Sequence, residues 1–436
     1  MTAGNVMEEY LRTHPGSENL HERARRILPA DGATHSARVL DPFRPYITYA
    51  RGSHKWDVDG NEYIDYVMGH GALILGHAHP AVVAAMQEQV AKGTHYGDNH
   101  QLEVEWAELV QKMMPNMERV EFFSCGQEAN LMAIRLSRIF TGRREVLKFA
   151  DNFHGWADEL VGVGTGLVAD QVKMIAMHDR ETLERELATR DYAILLMEGG
   201  GAHMGGQVPW QPGFVQEVSA LARRYGTVFL IDEVVTGFRD APGGWQSIVG
   251  VRPDLTSLGK AVGGGLGVGA LGGRADVMGV LTPKPPPEHF QVHSGTWNAN
   301  PLTASAGVAA CRLYLDGKVQ REANELGAYL RTRGNAVLRE RGLQASLYGR
   351  NIIWLYLGPA EYEPEDDSLP PTSDVQLLAS RAQSRPRLCL HLLQRGVSTM
   401  GARFFITSIA HSREDLDRTI EALVESLGAM IAEGSL

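Results

Sequence analysis

The sequence predicts an α/β protein. It has a large domain on a mostly parallel central sheet and a smaller α+β domain drawn from the N- and C-terminal segments. Three observations carry this. From about residue 80, short apolar runs alternate with amphipathic helical patterns, as in a parallel sheet covered on both faces. After Asn300-Pro301 the alternation gives way to long helical stretches and isolated strands. The length, 436 residues, exceeds what one ordinary core encloses. We therefore divide the chain into 1–75, an N-terminal segment packing with the small domain; 76–301, the large domain; and 302–436, the C-terminal small domain.

The elements follow in order. Ile47 to Asp65 reads as β-rich, with Asp59-Gly60-Asn61 as a hairpin turn. Apolar residues at helical spacing cover Ala81 to Ala91, Leu102 to Met113 and Glu128 to Phe140, the last stopped at Thr141-Gly142. Strands are expected at Arg119 to Phe123, Glu145 to Phe149, Tyr192 to Met197, Thr227 to Ile231 and Leu255 to Leu258. Phe214 to Tyr225 reads as a helix between the third and fourth of these. A helix or helix pair is expected over 302–341, a strand over Asn351 to Leu357, and a proline-rich loop over Gly358 to Asp374. A helix over Val375 to Arg395, a strand over Arg403 to Ile409 and an amphipathic helix over Glu414 to Met430 close the chain.

Composition narrows the function. A net charge of −10 argues against nucleic-acid binding, which needs a basic face. No apolar run reaches the roughly 18 residues that span a bilayer. The first ten residues lack a basic and apolar leader pattern. The three cysteines, Cys125, Cys311 and Cys389, are too few and too scattered for a disulfide framework or a zinc site. The expected setting is a reducing cytoplasm, with neither membrane nor nucleic acid as partner.

Two strand ends carry the chemistry. The run Thr227-Val-Phe-Leu-Ile ends in Asp232-Glu233, and Leu255-Thr-Ser-Leu runs into Gly259-Lys260. A carboxylate at a strand's C-terminal end sits where open α/β sheets place ligands. It can hold a pyridinium nitrogen, and a lysine can form a Schiff base with an aldehyde. Alone, Asp232 reads equally as a turn cap and Lys260 as a solvated lysine. Together they point to pyridoxal 5′-phosphate (PLP). Small residues after Lys260, Ala261-Val262-Gly263-Gly264-Gly265, leave room for a ring. Ser124 to Glu128, between a strand and a long helix, offers backbone amides to a phosphate, although an ordinary strand-to-helix turn reads the same way.

Two other patterns are set aside. Gly267-Val-Gly269-Ala-Leu-Gly272 matches G-x-G-x-x-G literally, but no strand precedes it and no helix follows, as a dinucleotide site requires. His77 and His79 form an H-x-H pair with no completing cysteine or carboxylate, so no metal is expected.

The residues resemble the class III aminotransferases of fold type I, in the branch of glutamate-1-semialdehyde aminomutase. The resemblance runs from about Arg38 to Met430. It rests on Trp56-Asp-Val-Asp-Gly-Asn61, Gly76-His-Ala-His-Pro80, Cys125-Gly-Gln-Glu-Ala129, Phe153-His-Gly155, Asp232-Glu-Val-Val-Thr-Gly-Phe-Arg239, Gly295-Thr296 with Asn300-Pro301, and Ala410-His411. It implies PLP as cofactor, Lys260 as Schiff-base lysine and Asp232 as pyridinium partner. It also implies Cys125, Gly126 and Gln127 at the phosphate, and Phe153 and Val234 against the ring faces, with His154 among the cofactor residues. His203 would bond the cofactor's 3-oxygen, and Thr296 would reach the phosphate of a neighbouring subunit's cofactor, which implies a homodimer with shared sites. Arg38 would hold a substrate carboxylate.

Departures qualify the expected activity. Phe153 stands where relatives carry Tyr, Cys125 and Gln127 alter the phosphate cup, and Glu198-Gly199 replaces a usual Glu-Pro. Gly155 to His178 is shorter than the aminomutase's gating loop. These favour ordinary transamination between an amino acid (aromatic, D- or β-) and a keto acid. Segments at Gly69 to Leu73 and Asp276 to Val280 are similar to D-phenylglycine aminotransferase. Trp156, Trp297 and Tyr96 are candidates for an apolar substrate pocket. An aminomutase or racemase on the same cofactor, and a non-catalytic binding protein on the same fold, stay open.

Overall fold

The computed structural model describes residues 6–34, 38–161, 169–281, 293–379 and 382–436. The strands in chain order are β1 (Ile47–Arg51), β2 (His54–Asp57), β3 (Glu62–Asp65), β4 (Arg119–Phe123), β5 (Glu145–Phe149), β6 (Val172–Ile175), β7 (Tyr192–Glu198), β8 (Val208–Pro209), β9 (Val228–Glu233), β10 (Leu255–Gly259), β11 (Gly269–Gly273), β12 (Ala345–Tyr348), β13 (Ile352–Leu357), β14 (Val397–Ser398) and β15 (Phe404–Ile406). They fall in two compact units. One comprises residues 1–79 and 322–436, the other 80–321.

The larger unit is built on a seven-stranded sheet in the order β4-β11-β10-β9-β7-β5-β6. The ladders β10/β9, β9/β7, β7/β5 and β5/β6 are parallel. Strand β11 runs antiparallel to both its neighbours. The central strands are buried along their whole length: all seven residues of β7 and all six of β9. Sheets covered on both faces require this. One face packs Phe149, Leu195, Phe214 and Phe229. The other packs Phe123, Ala133, Leu136 and Leu230, on the side of helix Gly126–Thr141. That helix ends at Gly142, in the left-handed region at φ 71°, which glycine adopts without strain.

The smaller unit has a four-stranded sheet, β1-β2-β3-β14, and a three-stranded sheet, β12-β13-β15. The β2/β3 hairpin turns through Asp59-Gly60-Asn61, where Asp57 Oδ1 accepts the amides of Asp59 (3.0 Å) and Asn61 (2.8 Å). Helices Arg385–Gln394 and Arg413–Ala432 pack against each other and contribute Leu388, Leu392, Leu416 and Leu427 to a shared core.

Several elements differ from expectation. The 302–341 stretch is two helices, Pro301–Tyr314 and Lys318–Glu340. The first packs on helices Pro80–Val90 and Gln101–Met113, so the larger unit runs past 301 to Arg321. The reason is its apolar surface: nearly every turn is buried, and Gly307 lies against the Trp106 indole so closely that a Cβ would come within 2.3 Å. The single helix expected over 375–395 is described as Asp374–Ala379 and Arg385–Gln394. Pro386, in the first turn of the second, lacks the N–H that a continuous helix would use.

Candidate active site

Three neighbouring parallel strands deliver chemistry to one edge of the sheet. In register, Glu198 on β7 faces Asp232 on β9, and Asp232 faces Ser257 on β10. Lys260 is the first residue past β10. All three strands end on the same side because they run parallel, and parallel sheets gather ligand-binding residues at that side.

Asp232 is buried and accepts three hydrogen bonds, one fewer than a carboxylate can take. Oδ2 accepts from His154 Nδ1 and Asn130 Nδ2, each at 2.8 Å. Oδ1 accepts from the Val234 amide at 2.9 Å. The histidine bond places the ring proton on Nδ1, and burial pushes the imidazole toward its neutral form. His154 Nε2 and Asn130 Oδ1 are left buried without hydrogen bonds among the described residues.

Lys260 is half-buried and takes a left-handed backbone, φ 48°, unusual for a residue with a Cβ. Among the described residues its Nζ makes no hydrogen bond and no ion pair. Loss of water pushes its ammonium pKa down, and the charges of Asp232 and Glu198 pull back in part. The following turn is pinned by side chains of the same unit. Trp106 Nε1 donates to the Val262 carbonyl at 3.2 Å, and Tyr314 donates to the Ala261 carbonyl at 3.2 Å.

Glu198 ties two loops together. Its oxygens accept from the Phe153 amide (3.0 Å) and the Gly205 amide (2.8 Å). Burial pushes its carboxyl up to about 8, against the pull of those amides. Gly205 closes a short left-handed turn that includes His203 (φ 53°) and Met204 (φ 55°). A second lysine, Lys148 on β5, is buried and also lowered, to about 8, by loss of water. It donates to the Leu160 carbonyl.

Helix Gly126–Thr141 begins beside this edge. Cys125 occupies the cap position and makes no capping hydrogen bond. The first-turn amides have no acceptor within a helix, so they stay available to an anion, which the helix dipole also favours. Gly126 permits close packing: a Cβ there would lie 2.5 Å from Val234 Cγ2. A Cβ on Gly155 would lie 2.8 Å from Gln127 Cγ, and the Trp156 amide donates to Gln127 Oε1 at 2.6 Å.

The structure thus gathers Asp232, His154 and Val234 directly. Gln127 lies against Gly155, beside Phe153 and Trp156, whose rings are 5.1 Å apart. Phe153 is 40% exposed and Trp156 68% exposed, so neither is a core residue. Thr296 lies on an exposed turn, its carbonyl bonded by His95, whose ring meets Trp297 edge-on at 5.2 Å. Arg38 belongs to the other unit, where it is exposed and lines a cavity. Residues 162–168, within the segment read as a shortened gating loop, and residues 35–37 lie outside the described residues. Sequence reasoning missed Asn130 and the bridging role of Glu198. Both carried a signal: a polar residue on the buried face of a helix, and an acid ending an apolar strand.

The arrangement suits an aldehyde-bearing, phosphate-bearing, nitrogen-ring cofactor. It offers an unpaired amine, a carboxylate held by three donors, and an uncapped helix start. Among the described residues no cluster of His, Cys, Asp and Glu is fit to hold a metal ion, and no helix is long and apolar enough to cross a membrane.

Comparison with known proteins agrees with this chemistry. Residues 36–344 match the family model described as aminotransferase class III. A glutamate-1-semialdehyde 2,1-aminomutase of Syntrophobacter fumaroxidans is 37% identical over 94% of this chain and 96% of its own length. Among solved structures, an omega-transaminase from Sphaerobacter thermophilus is 32% identical, with TM-score 0.85, covering 98% of this chain and 99% of its own. A β-phenylalanine aminotransferase from Variovorax paradoxus is 28% identical, with TM-score 0.88, covering 99% and 97%.

Proposed function

The chain belongs to the class III aminotransferases, a family of PLP-dependent enzymes, and from that premise we propose that it moves an amino group between an amino acid and a keto acid through Lys260. The observation that carries this is the edge of the sheet: an unpaired, partly desolvated Lys260 beside a triply anchored Asp232.

PLP, when bound, supplies an aldehyde for the amine and a ring that takes up the electron pair released at the substrate carbon. The rest falls to the protein. Lys260 Nζ would form the covalent link and, when displaced by the incoming amine, would carry the proton from the substrate carbon to the cofactor carbon that bore the aldehyde. Its lowered pKa keeps a larger neutral fraction for that task. Asp232 holds the ring nitrogen protonated; Asn130, His154 and the Val234 amide fix its orientation. Cys125, Gly126 and Gln127 would bind the phosphate at the helix start. Phe153 and Val234 would flank the ring, and His203 would bond its 3-oxygen. Thr296 would serve the neighbouring subunit of a homodimer. Arg38 would hold a substrate carboxylate by a bidentate contact. Three free cysteines, two of them buried, suit the reducing cytoplasm we propose as its setting.

A second reading has its own support. The aminomutase from Syntrophobacter fumaroxidans is 37% identical, which favours an internal amino shift on one substrate. The short span from Gly155 to His178 favours transamination, because a keto product leaves freely where no long loop retains it. Spectral titration decides both points. The purified enzyme should show the visible band of lysine-bound PLP, and Lys260→Ala should abolish it and cut turnover by about 10²–10⁴-fold. An unchanged spectrum in that variant rejects the role of Lys260. Amine-dependent loss of the band with release of a keto acid supports transamination. Isomerisation with no keto acid released supports the aminomutase.

A further inference from the structure

The strained turn at Lys260 is held from outside its own loop. Lys260 and Phe238 both take a left-handed backbone, at φ 48° and 60°. Phe238 lies in the loop that follows β9 and Asp232, and Lys260 opens the turn that follows β10. A residue with a Cβ stays in that region only where its surroundings over-determine it. One side chain touches both places. Tyr314, the last residue of helix Pro301–Tyr314, stacks its ring on Phe238, with centroids 6.0 Å apart and planes at 19°. Its hydroxyl donates to the Ala261 carbonyl at 3.2 Å. Tyr314 and Phe238 are fully buried. Burial also keeps the phenol protonated, so its oxygen stays a donor. Gly264, at the end of the turn, sits so near the same helix that a Cβ would come within 2.7 Å of the Ala306 carbonyl. The next carbonyl along, that of Val262, takes Trp106 Nε1 at 3.2 Å and Cys311 Sγ at 3.9 Å. The two carbonyls differ in what they can lose. Ala261 also accepts from the Gly264 amide at 3.2 Å, so it keeps a partner without the tyrosine. No backbone donor reaches the Val262 carbonyl among the described residues.

We propose that Tyr314, seconded by Trp106, is a positioning residue for the reaction: it ties the turn after Lys260 and the loop after Asp232 to one helix end, and so sets the amine against the carboxylate. Nothing in the family resemblance assigns either side chain. The proposal rests on the reading of Lys260 as the Schiff-base lysine. Its physical basis is alignment. A misplacement of about 1 Å, caused far from the reacting atoms, can slow a reaction about 10²-fold. Lys260 has one amine for two tasks, the covalent link and the proton transfer, so both depend on where the turn holds it.

Tyr314→Phe tests this, because it removes only the hydroxyl and leaves the ring on Phe238. Its Tm should stay close to that of the wild type. When PLP is added to the cofactor-free protein, the visible band of lysine-bound PLP should form at least about tenfold more slowly than in the wild type. In steady state kcat should fall by a similar factor at nearly unchanged KM. Trp106→Phe strands the Val262 carbonyl, so it should lower the Tm as well as slow the band. A double-mutant cycle asks whether Tyr314 acts through the amine. In the Lys260→Ala background, PLP binding read by protein fluorescence should be the same with and without Tyr314→Phe. Wild-type band formation and kcat in Tyr314→Phe overturn the proposal, whatever its Tm. So does a loss of PLP binding on Tyr314→Phe in the Lys260→Ala background, which marks a general support of the cofactor site. A band that survives Lys260→Ala removes the Schiff-base reading, and the positioning role with it. A band lost in Lys260→Ala but indifferent to Tyr314→Phe removes the positioning role alone.

Discussion

Lys55, Asp65 and His77 in one unit, and Lys260, Asp232 and His154 in the other, are the same three residue types in largely desolvated settings. In the first set every group is closed. Asp65 takes Lys55 at 2.7 Å, His77 at 2.8 Å and the amides of Val67 and Met68 at 3.1 Å each. Burial would raise its carboxyl, but the Lys55 ammonium and the bond from His77 hold it well below the usual range. In the second set Asp232 is anchored by neutral donors and the lysine stands apart, without a hydrogen bond among the described residues. One arrangement uses its charges to hold loops together. The other keeps a carboxylate and an amine available for something that is not protein. The same composition makes a clamp or a site according to whether the aspartate and lysine meet each other.

The contrast breaks most sharply under Asp→Asn at both places. Asp65→Asn strands the mostly buried Lys55 and should cost about 3–5 kcal/mol of stability, read as a lower Tm. Activity per folded molecule should hardly change. Its pH signature follows from the sign of the shift. The native carboxyl is depressed below an unfolded value of about 3.9. Its contribution is therefore full above that value and lost as pH falls further into acid. The acid limb of the wild-type stability curve should flatten in Asp65→Asn. A variant whose Tm and acid limb match the wild type would show that the cluster is not a clamp.

Asp232→Asn should act mainly on activity. No cation is left unpaired, but both oxygens accept from N–H donors. The new NH2 therefore meets a donor whichever way it turns, and the cofactor-free protein should lose about 1–3 kcal/mol of stability. Its Tm should fall less than that of Asp65→Asn. Turnover should fall about 10²-fold, the scale seen when one preorganised charge or donor is lost from a site. The visible band should also change on loss of the charge facing the ring nitrogen. Full activity in Asp232→Asn would remove the proposed pyridinium role and leave the second set as another structural cluster.

These two clusters also show what could be read in the sequence. Asp232 and Lys260 were legible because each ends an apolar strand, and strand ends of a parallel sheet have a fixed address. Their partners were less so. Asn130 lies a full helical turn past Gly126, and nothing local says that its amide reaches across 102 residues to Asp232. Strand β6 and helix Arg180–Thr189 escaped because their patterns are half polar: Val-Lys-Met-Ile, and a helix burying only Leu183 and Leu187. The boundary at 301 was misplaced because Asn300 and Pro301 mark a helix start. Asn300 does cap it, accepting from the Thr303 amide at 3.0 Å. A cap fixes where a helix begins and says nothing of which core receives it.

The backbone at Lys260 adds an evolutionary cost. A left-handed φ of 48° penalises any side chain with a Cβ by about 1–2 kcal/mol relative to glycine. Glycine gives part of that back through a more disordered unfolded chain, so Lys260→Gly should melt slightly above Lys260→Ala, although both lack the amine. In a library sorted by heat resistance alone, position 260 should drift toward glycine. In one sorted by turnover it should stay lysine, with the strain as the lasting mark of that selection.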